Sequence, residues 1–191
     1  VVYVARCGDD VADIVAVDVT TGRMTVIPVA HGAGATVDAV RTNADASRLF
    51  ATLRTAAGPA VAVIDTRACR VVQTIAVEGS IGDIAVHRDG RRVFATCWDD
   101  ERGGAVAVID ARAGRVVNTV AVSGMPTQVA LTASRAYIAL GDGISVLDIA
   151  TGRILDTVET GRPVSCLAVN PDGTRLYIAD FDGTVVARAG S

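Results

Sequence analysis

The chain has 191 residues, half of them hydrophobic and 4% aromatic, with a net charge of −3 at neutral pH. This composition excludes a disordered or collagen-like chain, and the length suits one domain that buries roughly 70% of its unfolded surface. Mean hydropathy is high at +0.41, yet the apolar runs fall well short of the roughly 20 residues that span a bilayer as a helix; all 18 basic residues are arginines spaced evenly along the chain, so no stripe for nucleic acid is expected.

The predicted elements repeat one phrase. Val2-Tyr3-Val4-Ala5 opens it as a strand carrying an aromatic residue, a polar loop follows over residues 6–13, and Val15-Ala16-Val17-Asp18 closes a second strand on aspartate before the turn to Gly22-Arg23. The second copy has Leu49-Phe50-Ala51-Thr52, a loop over 54–60, Ala62-Val63-Ile64-Asp65, the turn to Cys69-Arg70 and a strand over 71–77. Residues 46–57 carry good helix formers, but their register against the other copies predicts a strand. Ile84-Ala85-Val86-His87-Arg88-Asp89-Gly90 begins the third copy, followed by Val93-Phe94-Ala95-Thr96, a loop over 98–105, Ala107-Val108-Ile109-Asp110, Gly114-Arg115 and a strand over 116–122. The fourth supplies Ala136-Tyr137-Ile138-Ala139, Ser145-Val146-Leu147-Asp148 and Gly152-Arg153, and the fifth Leu167-Ala168-Val169-Asn170-Pro171-Asp172-Gly173, Leu176-Tyr177-Ile178-Ala179 and a strand over 185–188.

The aromatics at 3, 50, 94, 137 and 177 are spaced by 47, 44, 43 and 40 residues. Four short Val- and Ile-rich segments per period, bounded by Gly, Asp, Asn and Pro, are strand grammar. This period predicts an all-β propeller of four-stranded antiparallel blades, with repeats at 1–35, 36–79, 80–124, 125–162 and 163–191. Asp18, Asp65, Asp110 and Asp148 read as turn-initiating residues rather than a carboxylate ring, with Gly22, Gly114 and Gly152 at positive φ and Cys69 as the exception.

The phrase Val-x-Val-Ile-Asp-x-x-x-Gly-x-Val-Val, then Gly-x-Pro (Gly124-Met125-Pro126, Gly161-Arg162-Pro163), then Leu-Ala-Val-Asn-Pro-Asp-Gly-Thr-Arg-Leu-Tyr-Ile-Ala, resembles the YVTN-type β-propeller repeat, closest over 106–179. The resemblance orders the strands of each blade from innermost to outermost. Counted so, 18 strands are expected: the first blade lacks its inner strand, the last lacks its outer one, and about 4.5 blades are present. The chain is therefore expected to be part of a larger ring, seven-bladed as in family relatives, or else a partial ring completed by a second copy. Family relatives also imply an extracytoplasmic setting, periplasmic, cell-wall or secreted. The chain shows no charged-then-apolar leader at Val1, so targeting information is expected to be absent or removed.

The loops between second and third strands emerge on the face where propellers usually recognise ligands, which makes Asp9, Asp10, Arg54, Trp98, Asp99, Asp100, Glu101, Arg102, Asp142 and Asp182 the candidate partner-binding residues. Trp98, the only tryptophan, is either a contact residue or a cap on the neighbouring blade. Asp180-Phe181-Asp182-Gly183 matches only the opening of a calcium loop, so no metal is expected. Cys7, Cys69, Cys97 and Cys166 have no metal-site spacing and read as free thiols within strands. His31 and His87 are expected in solvated turns, and no Gly-x-Ser-x-Gly, HExxH or P-loop occurs. The function expected is a non-catalytic binding scaffold with no cofactor, its protein or small-molecule ligand unidentified. The alternative is a lactonase-like or redox-linked enzyme with its site in the central channel, mouthed by Asp38, Asp83, Gln128 and Ser165.

Overall fold

A computed structural model describes residues 1–189, and these residues form 18 strands and no helix. The first blade is β1 (Val2–Cys7), β2 (Val11–Val17) and β3 (Met24–His31); the second is β4 (Thr36–Thr42), β5 (Arg48–Thr55), β6 (Gly58–Asp65) and β7 (Arg70–Ala76). The third is β8 (Ser80–Val86), β9 (Arg92–Asp99), β10 (Gly103–Asp110) and β11 (Arg115–Val122), and the fourth is β12 (Gln128–Leu131), β13 (Arg135–Ala139), β14 (Gly143–Asp148) and β15 (Ile154–Glu159). The fifth comprises β16 (Val164–Val169), β17 (Arg175–Asp180) and β18 (Val185–Ala189), the last two residues of the expected 163–191 repeat lying outside the described residues. Every sheet is an antiparallel meander in chain order, three of them four-stranded and the two flanking ones three-stranded.

No blade has a core of its own. Four apolar clusters form instead, each shared by two successive blades. The aromatic of the second strand points forward into the next blade: Phe50 packs with Ile84, Val93 and Ile109, Phe94 with Ile138 and Leu147, and Tyr137 with Leu167 and Ile178. A ring of this kind buries roughly 150–250 Å², and Phe50 and Phe94 are each only 1% exposed. The period of the aromatics is thus the period of the blade interfaces. Residues 46–57, helix-like in composition, enter β5, because Leu49, Ala51 and Leu53 bury one face against the first blade while Phe50 buries the other.

The aspartate turns close as expected. Asp18 accepts backbone N–H bonds from Thr20 (2.8 Å) and Thr21 (3.1 Å), Asp65 from Arg67 and Ala68, Asp110 from Arg112 and Ala113, and Asp148 from Thr151. Gly22, Gly114 and Gly152 sit at φ 72°, 68° and 68°, and Cys69 adopts φ 49° in the same place. Ala46 at φ 54° likewise replaces the glycine of the Asp-Gly turns, since Gly90 and Gly173 hold the equivalent positions at 67° and 73°. The cysteines fit the expected pattern only in part: all are free, but Cys69 lies in a turn, Cys7 and Cys166 are exposed, and Cys97 alone is a buried strand residue.

Candidate functional site

Antiparallel meanders place all turns between second and third strands, and all connections to the next inner strand, at one end of the blades, here the upper end. These hairpins are tighter than expected. The ladders run to Cys7↔Ala12, Thr55↔Gly58 and Asp99↔Gly103, so Arg54, Trp98 and Asp99 are strand residues and the loops shrink to a few positions. Local side-chain bonds permit this: Arg6 holds Asp13 across β1 and β2 at 2.8 Å, and Asp99 accepts the N–H groups of Glu101 and Arg102, each at 3.0 Å. Those N–H groups, Arg102 first, hold the Asp99 carboxyl below the usual carboxylate range.

Charge divides between the ends. The upper end gathers Asp9, Asp10, Asp38, Glu78, Asp99, Asp100, Glu101, Asp142, Glu159, Asp180 and Asp182, with Arg6, Arg54, Arg102 and Arg162 as counter-charges. Arginine gathers at the lower end, where Arg48, Arg70, Arg92, Arg115, Arg135 and Arg175 all open strands that follow lower turns and Arg67, Arg88, Arg91 and Arg112 lie in the turns themselves. Even spacing along the chain becomes clustering in space, because a spacing commensurate with the blade returns each arginine to the same end.

The upper end carries a cleft of about 560 Å³ between the second and third blades. Ala76, Val77, Ala105, Ala107, Val116 and Ala121 give it an apolar floor; Trp98, Asp99, Arg102 and Glu78 stand around it. The half-buried Trp98 indole donates from Nε1 to Asp100 Oδ1 at 3.2 Å, and Arg102 pairs with Glu78 across the blade junction. Two glycines make this approach feasible. A Cβ on Gly79 would stand 2.7 Å from the Trp98 carbonyl oxygen, and one on Gly104 would meet the Gly124 carbonyl and lie 2.7 Å from Pro126 Cδ. Beneath, burial pushes the Cys97 thiol up to about 11, so it is no nucleophile.

The structure thus joins Trp98, Asp99, Asp100, Glu101 and Arg102 on one hairpin beside the cleft, and leaves the other candidates on other blades. Asp9 and Asp10 are exposed at the tip of the first hairpin. Arg54 pairs with Asp38 at 3.2 Å. The Asp142 carbonyl receives the Thr160 N–H and hydroxyl. Asp182 meets Arg162 at 3.3 Å, while the neighbouring Asp180 accepts N–H bonds from Asp182 and Thr184 and forms a turn. Among the described residues no three His, Cys, Asp or Glu side chains are grouped to hold a metal.

Of the channel-mouth candidates, Asp83 and Gln128 hold neighbouring blades together, while Asp38 and Ser165 bond within their own blades. In β4, Asp38 and Ala39 oppose the single residue Thr52, and in β8, Gly82 and Asp83 oppose Thr96; in both bulges the threonine hydroxyl accepts the orphaned N–H, of Ala39 and Asp83 respectively, at 2.8 Å. Asp83, thereby turned toward its neighbours, pairs with Arg41 of the second blade at 2.8 Å and accepts the Val129 N–H of the fourth at 3.4 Å. Burial pushes its carboxyl up, against the pull of Arg41. Gln128 repeats the link one blade on, its Oε1 accepting the Leu167 N–H at 2.8 Å, and the Ser165 hydroxyl donates to the carbonyls of Ala179 and Asp180.

His31 is exposed, as expected, but His87 is a correction. It lies in the expected turn yet is only 4% exposed, because the fourth blade covers it. Its Nε2 is 3.1 Å from the Ala133 carbonyl oxygen and Nδ1 is 2.8 Å from Asp89 Oδ2. Burial acts to raise the Asp89 carboxyl, but the Arg91 N–H, His87 and Arg92 hold it well below its ordinary value. Sequence reasoning missed Glu78 and the two bulge threonines; the contrast of Phe-Ala-Thr at 50–52 and 94–96 with Tyr-Ile-Ala at 137–139 and 177–179 was the available signal for the latter.

No family model matches the chain. It is 32% identical over 221 residues to the seven-bladed beta-propeller protein Rv1057 of Mycobacterium tuberculosis, an alignment that covers 98% of this chain and 56% of that protein. Among solved structures, hydrazine synthase of Kuenenia stuttgartiensis superposes with a TM-score of 0.74 at 18% identity, over 93% of this chain and 60% of that one. The C-terminal WD40 domain of Sif2 gives 0.74 at 14% identity, over 95% of this chain and 52% of that one. The chain therefore spans little more than half the length of the relatives it matches, and at these identities the two solved structures speak for fold alone. Five successive antiparallel blades with their core between them, matched by these relatives, show that the chain has a WD40-like β-propeller fold.

Proposed function

We propose that this chain is a YVTN-like binding scaffold whose recognition face is the acidic upper end, with the cleft beside Trp98 anchoring an apolar group of a cationic partner. One observation carries this reading: the only tryptophan stands over a cleft of about 560 Å³ with an apolar floor, inside a face where carboxylates outnumber arginines. An apolar anchor encircled by charge is the usual anatomy of a recognition hot spot. Three of the channel-mouth side chains that the enzymatic alternative would need support the scaffold reading by being bonded to backbone, Asp83 and Gln128 to that of a neighbouring blade and Ser165 to that of its own. The setting we assign, on the repeat's resemblance to exported propellers, is extracytoplasmic; cell fractionation of the natural host tests it.

Because Trp98 is the sole tryptophan, intrinsic fluorescence reports on the cleft directly. Titration with a short Lys- and Leu-containing peptide is expected to shift Trp98 emission saturably at low salt, and the shift should weaken at 0.5 M NaCl, where the Debye length falls below about 8 Å. It should also weaken in Asp99→Asn/Glu101→Gln. Emission that ignores cationic peptides, or responds equally to an acidic peptide of the same length, overturns the reading.

A further inference from the structure

The lower junction of the second and third blades holds a cavity of about 410 Å³, lined by Arg48, Phe50, Val63, Val72, Gln73, Gly90, Arg91, Ala111 and Arg112. We propose that it is a binding site for an oxyanion group, phosphate, sulfate or carboxylate, carried by a small ligand and held between Arg91 and Arg112. It is separate from the upper cleft and does not depend on that reading.

Three observations meet here. First, the guanidiniums of Arg91 and Arg112 make no hydrogen bond or close ion pair among the described residues, whereas that of Arg48 is held by Asp65. Second, the one carboxylate whose charge acts on both, Asp110, is a single negative charge against two positive ones and has its oxygen bonded within its turn, which leaves an excess of positive charge at the opening. Asp110 accepts the N–H groups of Arg112 and Ala113 at 2.8 Å, and Asp89 accepts those of Arg91 and Arg92 while also bonding the Arg92 side chain and His87. Third, the turns that carry the two arginines are tied together, since the Ala111 N–H donates to the Arg91 carbonyl at 2.8 Å. Both guanidiniums are thus brought to one opening by backbone that is already fixed. A planar fork of N–H donors suits a tetrahedral or planar oxyanion.

Gln73 adds a neutral donor from β7. Its amide lies over Gly114 so closely that a Cβ there would collide with Nε2. The floor is apolar, Phe50 and Val63 being 1% and 4% exposed. The site therefore fits a ligand with one anionic group and a compact hydrocarbon part, and the arginines of the surrounding lower end would draw such an anion toward it.

The test titrates the chain with phenyl phosphate, and in a parallel arm with benzoate, at constant ionic strength set by chloride, following ¹⁵N–¹H shifts of Gly90, Ala111 and the Gln73 side-chain amide. Saturable shifts confined to these groups are expected, and the two arms tell phosphate from carboxylate. Arg91→Gln and Arg112→Gln should each raise Kd by about tenfold or more, as loss of a charge-assisted pair does. Arg153→Gln, at the lower end of the fourth blade and outside the cavity, should leave Kd within about twofold. Unsaturable shifts spread over every lower turn, equal losses in all three variants, or binding only of long polyanions such as duplex DNA would replace a discrete pocket by a diffuse basic surface and overturn the proposal.

Discussion

Replacing Gln128 by methionine keeps the length and volume of the side chain and removes the oxygen that accepts the Leu167 N–H at 2.8 Å. Leu167 is only 8% exposed, so that N–H has little access to water once its acceptor is gone. Leaving a buried donor unsatisfied costs about 1–3 kcal/mol. For a domain of this size each kcal/mol lowers Tm by about 2–4 °C, so Gln128→Met is expected to melt roughly 3–10 °C below the parent chain. Gln128→Glu retains an acceptor at the same reach and should recover most of the loss. Calorimetry or far-ultraviolet circular dichroism at one protein concentration measures both. A Gln128→Met chain as stable as the parent, or a Gln128→Glu chain as damaged as Gln128→Met, would refute the argument that this channel-mouth side chain joins the fourth blade to the fifth, and would free it for a chemical role.

Gly104→Ala should be markedly destabilising, by about 1–3 kcal/mol or more, because its Cβ would drive into the Gly124 carbonyl, which is backbone and cannot swing away; a melting temperature within 1–2 °C of the parent would contradict the packing described. Ala46→Gly should do the reverse: relief of a left-handed non-glycine residue at φ 54° is worth roughly 1–2 kcal/mol against about 0.4–1 kcal/mol of added unfolded-state entropy, so a small rise in Tm is expected, and a fall would show that Ala46 is unstrained. The turn carboxyls, Asp89 foremost, have folded pKa values below the ordinary 3.8. A depressed acid stabilises the fold above its unfolded pKa and loses that contribution as pH falls through the folded value. Stability should accordingly decline below about pH 4, and Asp89→Asn should flatten that decline in acid titrations followed by circular dichroism. The 191-residue chain on its own should self-associate, since Val185 and Val186 on the fifth blade are 62% and 47% exposed and Val2 and Val4 on the first are 50% and 47%; each covered valine would contribute roughly 1.5–3 kcal/mol. Light scattering showing a monomer at high concentration would count against this.

The repeating part of the structure was legible in the sequence, and the junction-specific part was not. Tyr3, Phe50, Phe94 and Tyr137 recur because the second strand of each of the first four blades faces the following blade, and the aspartate turns recur because each third strand must reverse within five residues. Such features depend on neighbours in the chain, and local patterning reports them. The bulges at Asp38-Ala39 and Gly82-Asp83, the burial of His87 by the fourth blade, and the Glu78–Arg102 pair depend on what lies across an interface. For such contacts a single copy of the repeat holds no information. The expected upper loops were overlong for a related reason. Ladder pairing continues as far as cross-strand bonds such as Arg6–Asp13 allow, and polarity alone does not mark where it stops.

Repetition also explains how the two ends came to differ. Each lower turn between a third and a fourth strand places an aspartate where its carboxylate is taken by backbone N–H groups, and an arginine five residues on that opens or precedes the next strand. Four such turns, with the arginines of the inner hairpins, accumulate cations at one end without any run of basic residues in the chain. Four of the five upper hairpins instead close on Asp or Glu, that of the second blade closing on Ala56-Ala57. A pattern that comes within two charges of balance in every repeat becomes a polar molecule once the repeats stand side by side, so the two ends attract ligands of opposite charge. Salt should accordingly weaken both the Trp98 response and the Arg91–Arg112 response. Charge reversal at one end should leave the other unchanged, which makes each end the internal control for the other.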